Sequence, residues 1–240
     1  MSVSTTVVTL KVDGKDVGGR ADETILDVCK ENKIPIPTLC FMEGLSGFGA
    51  CRLCLVEVKG INKLLPACVT KVAEGMEIST NTQRLQKYRR MIVQMLFSER
   101  NHVCSVCVSN GHCELQTLAV QMEITHIDIP YRYPKLPFDS SHDLFRVDHN
   151  RCVLCTRCVR VCDEIEGAHT WDVAGRGVDS RVIIDLDQPW ADSQSCTSCG
   201  KCVRICPTGA LTRKGTGVAE MQKDDGFLPY LTQMRGKQNE

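Results

Sequence analysis

The first 80 residues carry the short hydrophobic patterns of a small α+β domain. In VVTLKVD, Val8, Leu10 and Val12 alternate with polar residues, which predicts a strand with one buried face. The segment ETILDVCKEN has apolar residues at helical spacing, and CLVEVKG predicts a further strand. Cys29 falls on the apolar face of that helix and is expected to be a core thiol. Together these elements predict a β-grasp-like domain over residues 1–80.

The pattern then changes to a helical one over residues 81–125. The segment NTQRLQKYRRMIVQMLFSER spaces its apolar residues as a helix does: Leu85, Tyr88, Ile92, Met95 and Leu96. Either Asn81 or Thr82 is a suitable cap. The basic residues are expected on a solvated face rather than a docking surface: Arg84, Lys87, Arg89 and Arg90. A second helical stretch, ELQTLAVQM, follows.

A proline-rich stretch, HIDIPYRYPKLPFD, predicts a linker over residues 126–144. Tyr131 and Tyr133 lie between its prolines, where they would pack either on a partner or on the protein's own core. Farther on, the strand pattern RVIIDLD and the turn-like AGRGVDS predict a hairpin. We expect a domain over residues 145–215 and a C-terminal tail over residues 216–240.

Charge and composition exclude several classes of function. The chain has 29 Lys and Arg against 29 Asp and Glu, so no polyanion-binding surface and no nucleic acid partner is expected. Its start, MSVSTTVVTLKVD, lacks the charged and apolar regions of a secretory signal. No uncharged apolar run approaches about 18 residues, so no transmembrane segment is expected either. These features favour a cytoplasmic protein.

Sixteen of the 240 residues are cysteine, which requires either disulfides or metal ligation. In a reducing compartment the second is favoured. Apart from Cys29, the cysteines form four groups along the chain.

The last two groups, CVLCTRCVRVC and CTSCGKCVRICP, each have the spacing C-x2-C-x2-C-x3-C of bacterial two-cluster ferredoxins. In that arrangement the first three cysteines of a run bind one [4Fe-4S] cluster and the fourth binds the other. The predicted ligand sets are Cys152, Cys155, Cys158 and Cys206, and Cys162, Cys196, Cys199 and Cys202. Zinc ribbons use separated C-x2-C pairs, so zinc is disfavoured. Asp163 replaces the usual proline after the first run.

The first group has the spacing C-x10-C-x2-C-x13-C and predicts a [2Fe-2S] site with the ligands Cys40, Cys51, Cys54 and Cys68. Plant-type ferredoxins also have a central C-x2-C, although their first gap is four residues. Three glycines in FMEGLSGFGA would allow backbone N–H groups to approach the cluster sulfurs.

The middle group, NHVCSVCVSNGHC, is one ligand short of a cubane. Cys104, Cys107 and Cys113 supply three thiolates, so a fourth ligand must come from elsewhere. His102 precedes Cys104 by two residues and is preferred, with His112 as the alternative.

These groups, in this order, resemble the iron-sulfur relay subunits of NAD-reducing bidirectional nickel-iron hydrogenases. They are also similar to the N-terminal module of the large complex I iron-sulfur subunit and of iron-only hydrogenases. The phrases that carry the resemblance include IPTLC, CRLCLVEVKG, NHVCSVC, RCVLCTRCVRVCDEIEGAH and CTSCGKCVRICPTGAL. In the complex I version the histidine lies four residues before the first cysteine, where this chain has Arg100.

The resemblance implies one [2Fe-2S] cluster and three [4Fe-4S] clusters. It also implies a relay of single electrons between a nickel-iron hydrogenase module, with small and large subunits, and a flavin- and NAD-binding diaphorase subunit. No G-x-G-x-x-G follows a strand and there is no P-loop, so dinucleotide chemistry is expected on the partners. The sequence after Cys206 contains no Cys or His, and no catalytic metal centre is expected in it.

Two other functions remain open on the sequence. The first is a zinc-structured interaction module. The second is the relay part of another NAD(P)-linked complex, either complex I-like or a formate dehydrogenase.

Overall fold

A computed structural model describes residues 6–224 and 226–236, which form two compact units. The N-terminal unit comprises residues 6–41 and 47–92. The C-terminal unit comprises residues 42–46 and the described residues from Val93 onward. The predicted α+β class is confirmed, since strands and helices alternate in both. No helix in the described ranges is long and apolar enough to cross a lipid bilayer.

The N-terminal unit is built on a mixed five-stranded sheet. Its strands are β1 (Val7–Val12), β2 (Lys15–Arg20), β3 (Leu55–Val58), β4 (Ile61–Pro66) and β5 (Glu77–Ser79). They lie in the order β2-β1-β5-β3-β4, in which β1 and β5 are parallel and the other neighbours antiparallel. The alternation predicted for β1 is confirmed, because Val8, Leu10 and Val12 are buried and the residues between them are exposed.

Helix α1 (Ile25–Glu31) supplies the other side of this core. It begins with a capping box in which the Thr24 side chain accepts from the Asp27 backbone N–H, while the Asp27 carboxylate accepts from the Thr24 backbone N–H. The apolar face is fully buried, and the core position predicted for Cys29 is confirmed. Burial raises the pKa of the Cys29 thiol to about 11, so this thiol stays protonated at neutral pH.

Helix α2 (Gln83–Glu99) buries only part of the face that the apolar spacing predicts, since Leu85 is buried but other residues of that face are not. Thr82 caps it by accepting from the Leu85 N–H at 3.3 Å. Tyr88 and Met95 are exposed. The solvated position predicted for Arg89 is wrong: its side chain is buried and donates to two backbone carbonyls. The Leu53 and Leu55 carbonyls, on either side of Cys54, need donors, and the long arginine side chain reaches them.

The C-terminal unit contains short helices and two small antiparallel sheets. The helices are α3 (Glu114–Gln121), α4 (Arg157–Arg160), α5 (Lys201–Ile205) and α6 (Phe227–Gly236). The strands are β6 (Phe138–Asp139), β7 (Phe145–Asp148), β8 (Trp171–Ala174), β9 (Arg181–Ile184) and β10 (Leu211–Arg213). One sheet has the order β10-β7-β6 and the other is the β8–β9 hairpin. The hairpin predicted from RVIIDLD is thereby confirmed. A π-helical segment, Val161–Glu166, continues α4.

The proline-rich stretch is held to its own unit by backbone contacts. The Arg132 N–H donates to the Ser98 carbonyl at 3.0 Å, and Asn101 donates to the Pro134 carbonyl at 2.8 Å. Tyr131 and Tyr133 are 46% and 74% exposed, so they do not cover the core of this unit. Of the two positions considered for these rings, packing on the protein's own core is not observed.

Candidate iron-sulfur cluster sites

The four cysteines of the first group lie close together in the N-terminal unit as two pairs. Cys40 and Cys51 each donate a backbone N–H to the sulfur of the other at 3.5 Å. The sulfurs of Cys54 and Cys68 lie 3.4 Å apart. A [2Fe-2S] cluster takes four cysteine thiolates, so this arrangement fits one. The pKa of Cys51 is raised by its hydrogen bond to Cys40 and by burial, and that of Cys54 by its hydrogen bond to Cys68 and by burial.

The glycines of the loop between Cys40 and Cys51 have different roles. The Gly49 backbone donates to the Cys68 sulfur and helps to lower the pKa of that thiol, after the larger effect of Cys54. Gly47 has no room for a side chain, because a Cβ there would lie 2.6 Å from the Cys68 carbonyl oxygen. Gly44 instead packs in the C-terminal unit, where a Cβ would lie 3.3 Å from the Leu228 side chain. Of the three glycines, Gly49 is therefore the one whose backbone N–H reaches a cysteine sulfur as predicted.

The two C-terminal cysteine runs adopt the same loop conformation. In each, the residues on either side of the second cysteine have positive φ: Leu154 and Thr156 in the first run, and Ser198 and Gly200 in the second. Residues in this left-handed region turn consecutive backbone N–H groups into an anion-binding concavity. Three of the four are not glycine, and such strained backbone persists only where the surrounding structure requires it.

Each run borders a cavity that is lined by one complete set of four cysteines. The first cavity is lined by Cys152, Cys155, Cys158 and Cys206. The second is lined by Cys162, Cys196, Cys199 and Cys202. The fourth cysteine of each run thus lines the cavity of the other run. This is the grouping that the ferredoxin spacing predicts.

Burial keeps the thiols of the first of these cavities protonated. It raises the pKa of Cys152 to about 11 and that of Cys155 to about 12, and the neighbouring thiols raise both values further. Arg157, which is 2% exposed, lowers the pKa of Cys155 through its positive charge. Its two terminal guanidinium nitrogens, Nη1 and Nη2, donate to the two oxygens of the Glu114 carboxylate, at 2.5 and 2.7 Å. Thiolates in this cavity therefore require additional positive charge, which iron would supply.

The histidine and three cysteines of the middle group line a third cavity. His102, Cys104, Cys107 and Cys113 border it, together with Gln116, Arg151 and Thr208. The His102 Nε2 atom is buried and has no hydrogen-bond partner in the described part of the chain. A buried polar atom without a partner is costly, and a metal ligand bond would satisfy it. The donor set of this cavity therefore fits a [4Fe-4S] cluster.

Burial keeps the His102 ring neutral. It lowers the pKa of His102 to about 4, and a hydrogen bond to the Leu96 backbone opposes that shift. The Nε2 atom has no partner among the described residues, so a tautomer with the ring proton on Nδ1 would leave the Nε2 lone pair free for a metal. His112 is exposed and is not among the residues that line the cavity. Of the two candidates, the geometry favours His102.

In all three cavities the side chains surround a volume instead of converging on a point. Within residues 6–224 and 226–236, no three His, Cys, Asp or Glu side chains lie close enough together to hold a single ion.

Several residues at these sites were not predicted from the sequence. Thr208 lines both the Cys152 cavity and the His102 cavity. Trp171 and Trp190 line the Cys162 cavity, where the Trp190 indole N–H donates to the Cys196 sulfur at 3.3 Å. The only available signal was that these are the two tryptophans of a chain with few aromatic residues.

Three family models match consecutive parts of the chain. A 2Fe-2S iron-sulfur cluster binding domain matches residues 5–83. The iron-sulfur binding region of NADH-ubiquinone oxidoreductase-G matches residues 89–128. The ferredoxin-like domain of NADH-quinone oxidoreductase subunit 3 matches residues 143–212. The chain therefore contains a [2Fe-2S] domain and [4Fe-4S] binding domains.

A similar curated protein is the gamma subunit of the NAD-reducing hydrogenase HoxS of Cupriavidus necator. It is 31% identical over 211 residues, which cover 88% of each chain. The chain belongs to the family of this hydrogenase gamma subunit. A solved structure, the NAD⁺-reducing [NiFe]-hydrogenase in the H₂-reduced state, has a chain that is 32% identical with a TM-score of 0.82, again over 88% of both.

Larger proteins share the same segment with this hydrogenase family. The mitochondrial 78 kDa subunit of the NADH-ubiquinone oxidoreductase of Candida albicans is 31% identical over 177 residues, which is 73% of this chain but 25% of that protein. The alpha subunit of the NADPH-Fe(3+) oxidoreductase of Geobacter sulfurreducens is 34% identical over 71% of this chain and 20% of its own length. The main prediction, an iron-sulfur relay subunit of an NAD-reducing hydrogenase related to complex I, is confirmed.

Proposed function

We propose that this chain holds four clusters and passes single electrons between a hydrogen-oxidising partner and an NAD-reducing one. A [2Fe-2S] cluster is assigned to Cys40, Cys51, Cys54 and Cys68. Three [4Fe-4S] clusters are assigned to His102, Cys104, Cys107 and Cys113, to Cys152, Cys155, Cys158 and Cys206, and to Cys162, Cys196, Cys199 and Cys202.

One observation carries this assignment. Three cavities of the C-terminal unit are each lined by four candidate ligand side chains, and these are the sets expected from the sequence. The buried and unpartnered Nε2 of His102 completes the set that lacks a fourth cysteine. Cubane clusters are held by four protein ligands, and mixed histidine and cysteine ligation is chemically suitable for iron.

Bound clusters would supply centres that accept and release one electron at reduction potentials set by their surroundings. The chain's own residues prepare these centres. Buried thiols with raised pKa values, such as those of Cys113 and Cys155, must lose their protons when iron binds, so cluster loading releases protons. Arg157 supplies a fixed positive charge, and the Leu154 and Arg157 backbone N–H groups donate to the Cys152 and Cys155 sulfurs.

The proposed partners are a flavin- and NAD-binding diaphorase subunit and the small and large subunits of a nickel-iron hydrogenase. In this proposal hydride transfer and hydrogen oxidation take place on those partners. We also propose the five-part division of the chain given above, with the [2Fe-2S] domain over residues 1–80 and the two-cluster domain over residues 145–215.

Metal analysis combined with EPR of the purified complex tests the proposal. We expect about fourteen iron atoms per chain and, on reduction, one [2Fe-2S] signal with up to three [4Fe-4S] signals. Zinc without iron would support the interaction-module alternative and contradict the relay. Co-purification of a nickel-containing subunit supports the hydrogenase assignment. Co-purification of a molybdenum subunit would instead support the relay part of a formate dehydrogenase, and that of a quinone-reducing complex the complex I-like alternative.

A further inference from the structure

The two tryptophans of the chain lie beside the same candidate cluster site. Both border the cavity of Cys162, Cys196, Cys199 and Cys202, and neither borders the other two cavities described above. Trp190 is 1% exposed and Trp171 is 3% exposed. An indole has one polar atom, a donor, and a buried indole N–H normally has a partner.

In both cases a cysteine sulfur lies within reach of the indole. The Trp190 Nε1 atom lies 3.3 Å from the Cys196 sulfur. The Trp171 side chain lies within hydrogen-bonding reach of the Cys202 sulfur. A third donor, the Thr170 backbone N–H, lies 3.4 Å from the Cys162 sulfur. Two of the four sulfurs thus accept an N–H hydrogen bond, and a third has an indole beside it.

Packing fixes the position of the Trp190 ring. Its centroid lies 4.9 Å from that of Trp171 in an edge-to-face arrangement, 5.6 Å from that of Phe145 and 5.0 Å from that of His142. The Trp190 backbone N–H donates to the Asp139 carboxylate at 2.7 Å. A ring held on several sides keeps its N–H aimed at the sulfur without reorganisation, which is what a group that adjusts a metal centre requires.

His142 connects this aromatic group to the ligand loop. Its Nδ1 atom accepts from the Leu144 and Phe145 backbone N–H groups, at 3.0 and 3.3 Å, so the ring proton lies on Nε2. Nε2 therefore donates to the Ser198 hydroxyl, 3.1 Å away, in the turn between Cys196 and Cys199. The aromatic group thus supports the loop at two points, Cys196 and Ser198.

We propose that Trp190, with Trp171 beside it, is a positioning residue that makes the reduction potential of this cluster more positive by donating its indole N–H to a ligand sulfur. The inference rests on the proposed function, since it requires a cluster in this cavity. Reduction adds negative charge that is shared with the sulfurs, and an N–H donor stabilises the reduced state more than the oxidised one. Removing the donor therefore favours the oxidised state.

The test is Trp190→Phe in the iron-loaded full-length chain within its complex, with the cluster potentials measured by EPR-monitored redox titration. Loss of one hydrogen bond to a charged sulfur should decrease the equilibrium constant for one-electron reduction about tenfold, which is a shift of about 59 mV to more negative potential. Only one signal should move. It should be the signal that Cys199→Ser alters, because Cys199 is a ligand in the same cavity.

Ile184→Val is the matched control. It removes one methylene group from the same buried core, but no donor to sulfur and none of the rings that pack on Trp190, so it should leave that potential within the error of the titration. An unchanged potential in Trp190→Phe, or an equal shift in Ile184→Val, would overturn the inference. If the wild-type chain contains no iron, the proposed function fails instead.

A labelling experiment covers the possibility that Trp190→Phe does not fold. In the wild-type complex with ¹⁵N-indole tryptophan, the reduced cluster should show a hyperfine coupling to ¹⁵N, and Trp171→Phe should lower the same potential in the same direction. A spectrum without ¹⁵N coupling would contradict the hydrogen bond directly.

Discussion

The backbone of Gly209 lies directly against the sulfur of Cys107, so that a Cβ at Gly209 would be 2.5 Å from that sulfur. Real carbon and sulfur atoms do not approach so closely without displacement. Gly209 lines the same cavity as His102 and Cys107. A single methyl group at this position should therefore displace one proposed ligand.

Gly209→Ala is expected to remove or broaden one [4Fe-4S] EPR signal and to lower the iron content from about fourteen to about ten per chain. The reason is steric, because φ at Gly209 is not in the left-handed region. Gly18→Ala is a suitable control, since no atom lies within 4 Å of the added Cβ. Full iron content in Gly209→Ala would contradict the assignment of Cys107 as a ligand.

His102→Ala is expected to change one [4Fe-4S] signal and to leave the other cluster signals intact. Its Nε2 atom is the group without a partner in the cavity, so its removal deletes one ligand. EPR and iron analysis measure the effect. His112→Ala should behave as wild type, because His112 is exposed. The opposite result, with His112→Ala defective and His102→Ala normal, would reverse the ligand assignment.

Cys155→Ser is expected to abolish hydrogen-dependent NAD⁺ reduction in the complex while the flavin subunit still reduces an artificial acceptor with NADH. The relay would be interrupted, but the flavin site on the partner would not. Cys29→Ala is the matched control: a buried thiol outside the ligand sets, whose loss should cost about 1 kcal/mol of stability and no iron. Loss of both activities in Cys155→Ser would argue against a simple relay.

Arg89→Met is expected to destabilise the N-terminal unit by about 2 kcal/mol, because the Leu53 and Leu55 carbonyls lose a charged donor. These carbonyls flank Cys54, so the [2Fe-2S] signal should be lost at lower urea concentration than in the wild type. Urea titration followed by visible absorption and EPR measures this. Lys87→Met, on the exposed face of the same helix, should have no such effect. Equal midpoints for the two variants would contradict a structural role for Arg89.

Local patterns predicted the parts of the fold that depend on neighbouring residues. The alternation of Val8, Leu10 and Val12 gives β1, and the C-x2-C-x2-C spacing gives two loops of equal conformation. The cysteines also line the cavities that their spacing predicts, because a short loop can turn its three sulfurs only toward one volume.

Contacts between distant parts of the chain were not predictable in this way. Helical spacing alone placed Arg89 outside, because nothing in α2 indicates that two carbonyls more than 30 residues earlier need a donor. Trp190 reaches Cys196 only because Asp139 and Phe145 hold it from another part of the chain. Gly44 packs against Leu228 for the same reason, since 184 residues separate them.

The fourth cysteine of each run lines the cavity of the other run, and this crossing has a consequence for biosynthesis if the cavities hold the proposed clusters. Cys206 lines the cavity of the first run, and Cys162 lines that of the second. A nascent chain that has emerged only as far as Cys162 therefore cannot complete the first set. We expect the cellular machinery that delivers iron and sulfide to find both acceptor sites only after translation has passed Cys206. The two sites should then be filled together rather than in the order in which their first cysteines are synthesised.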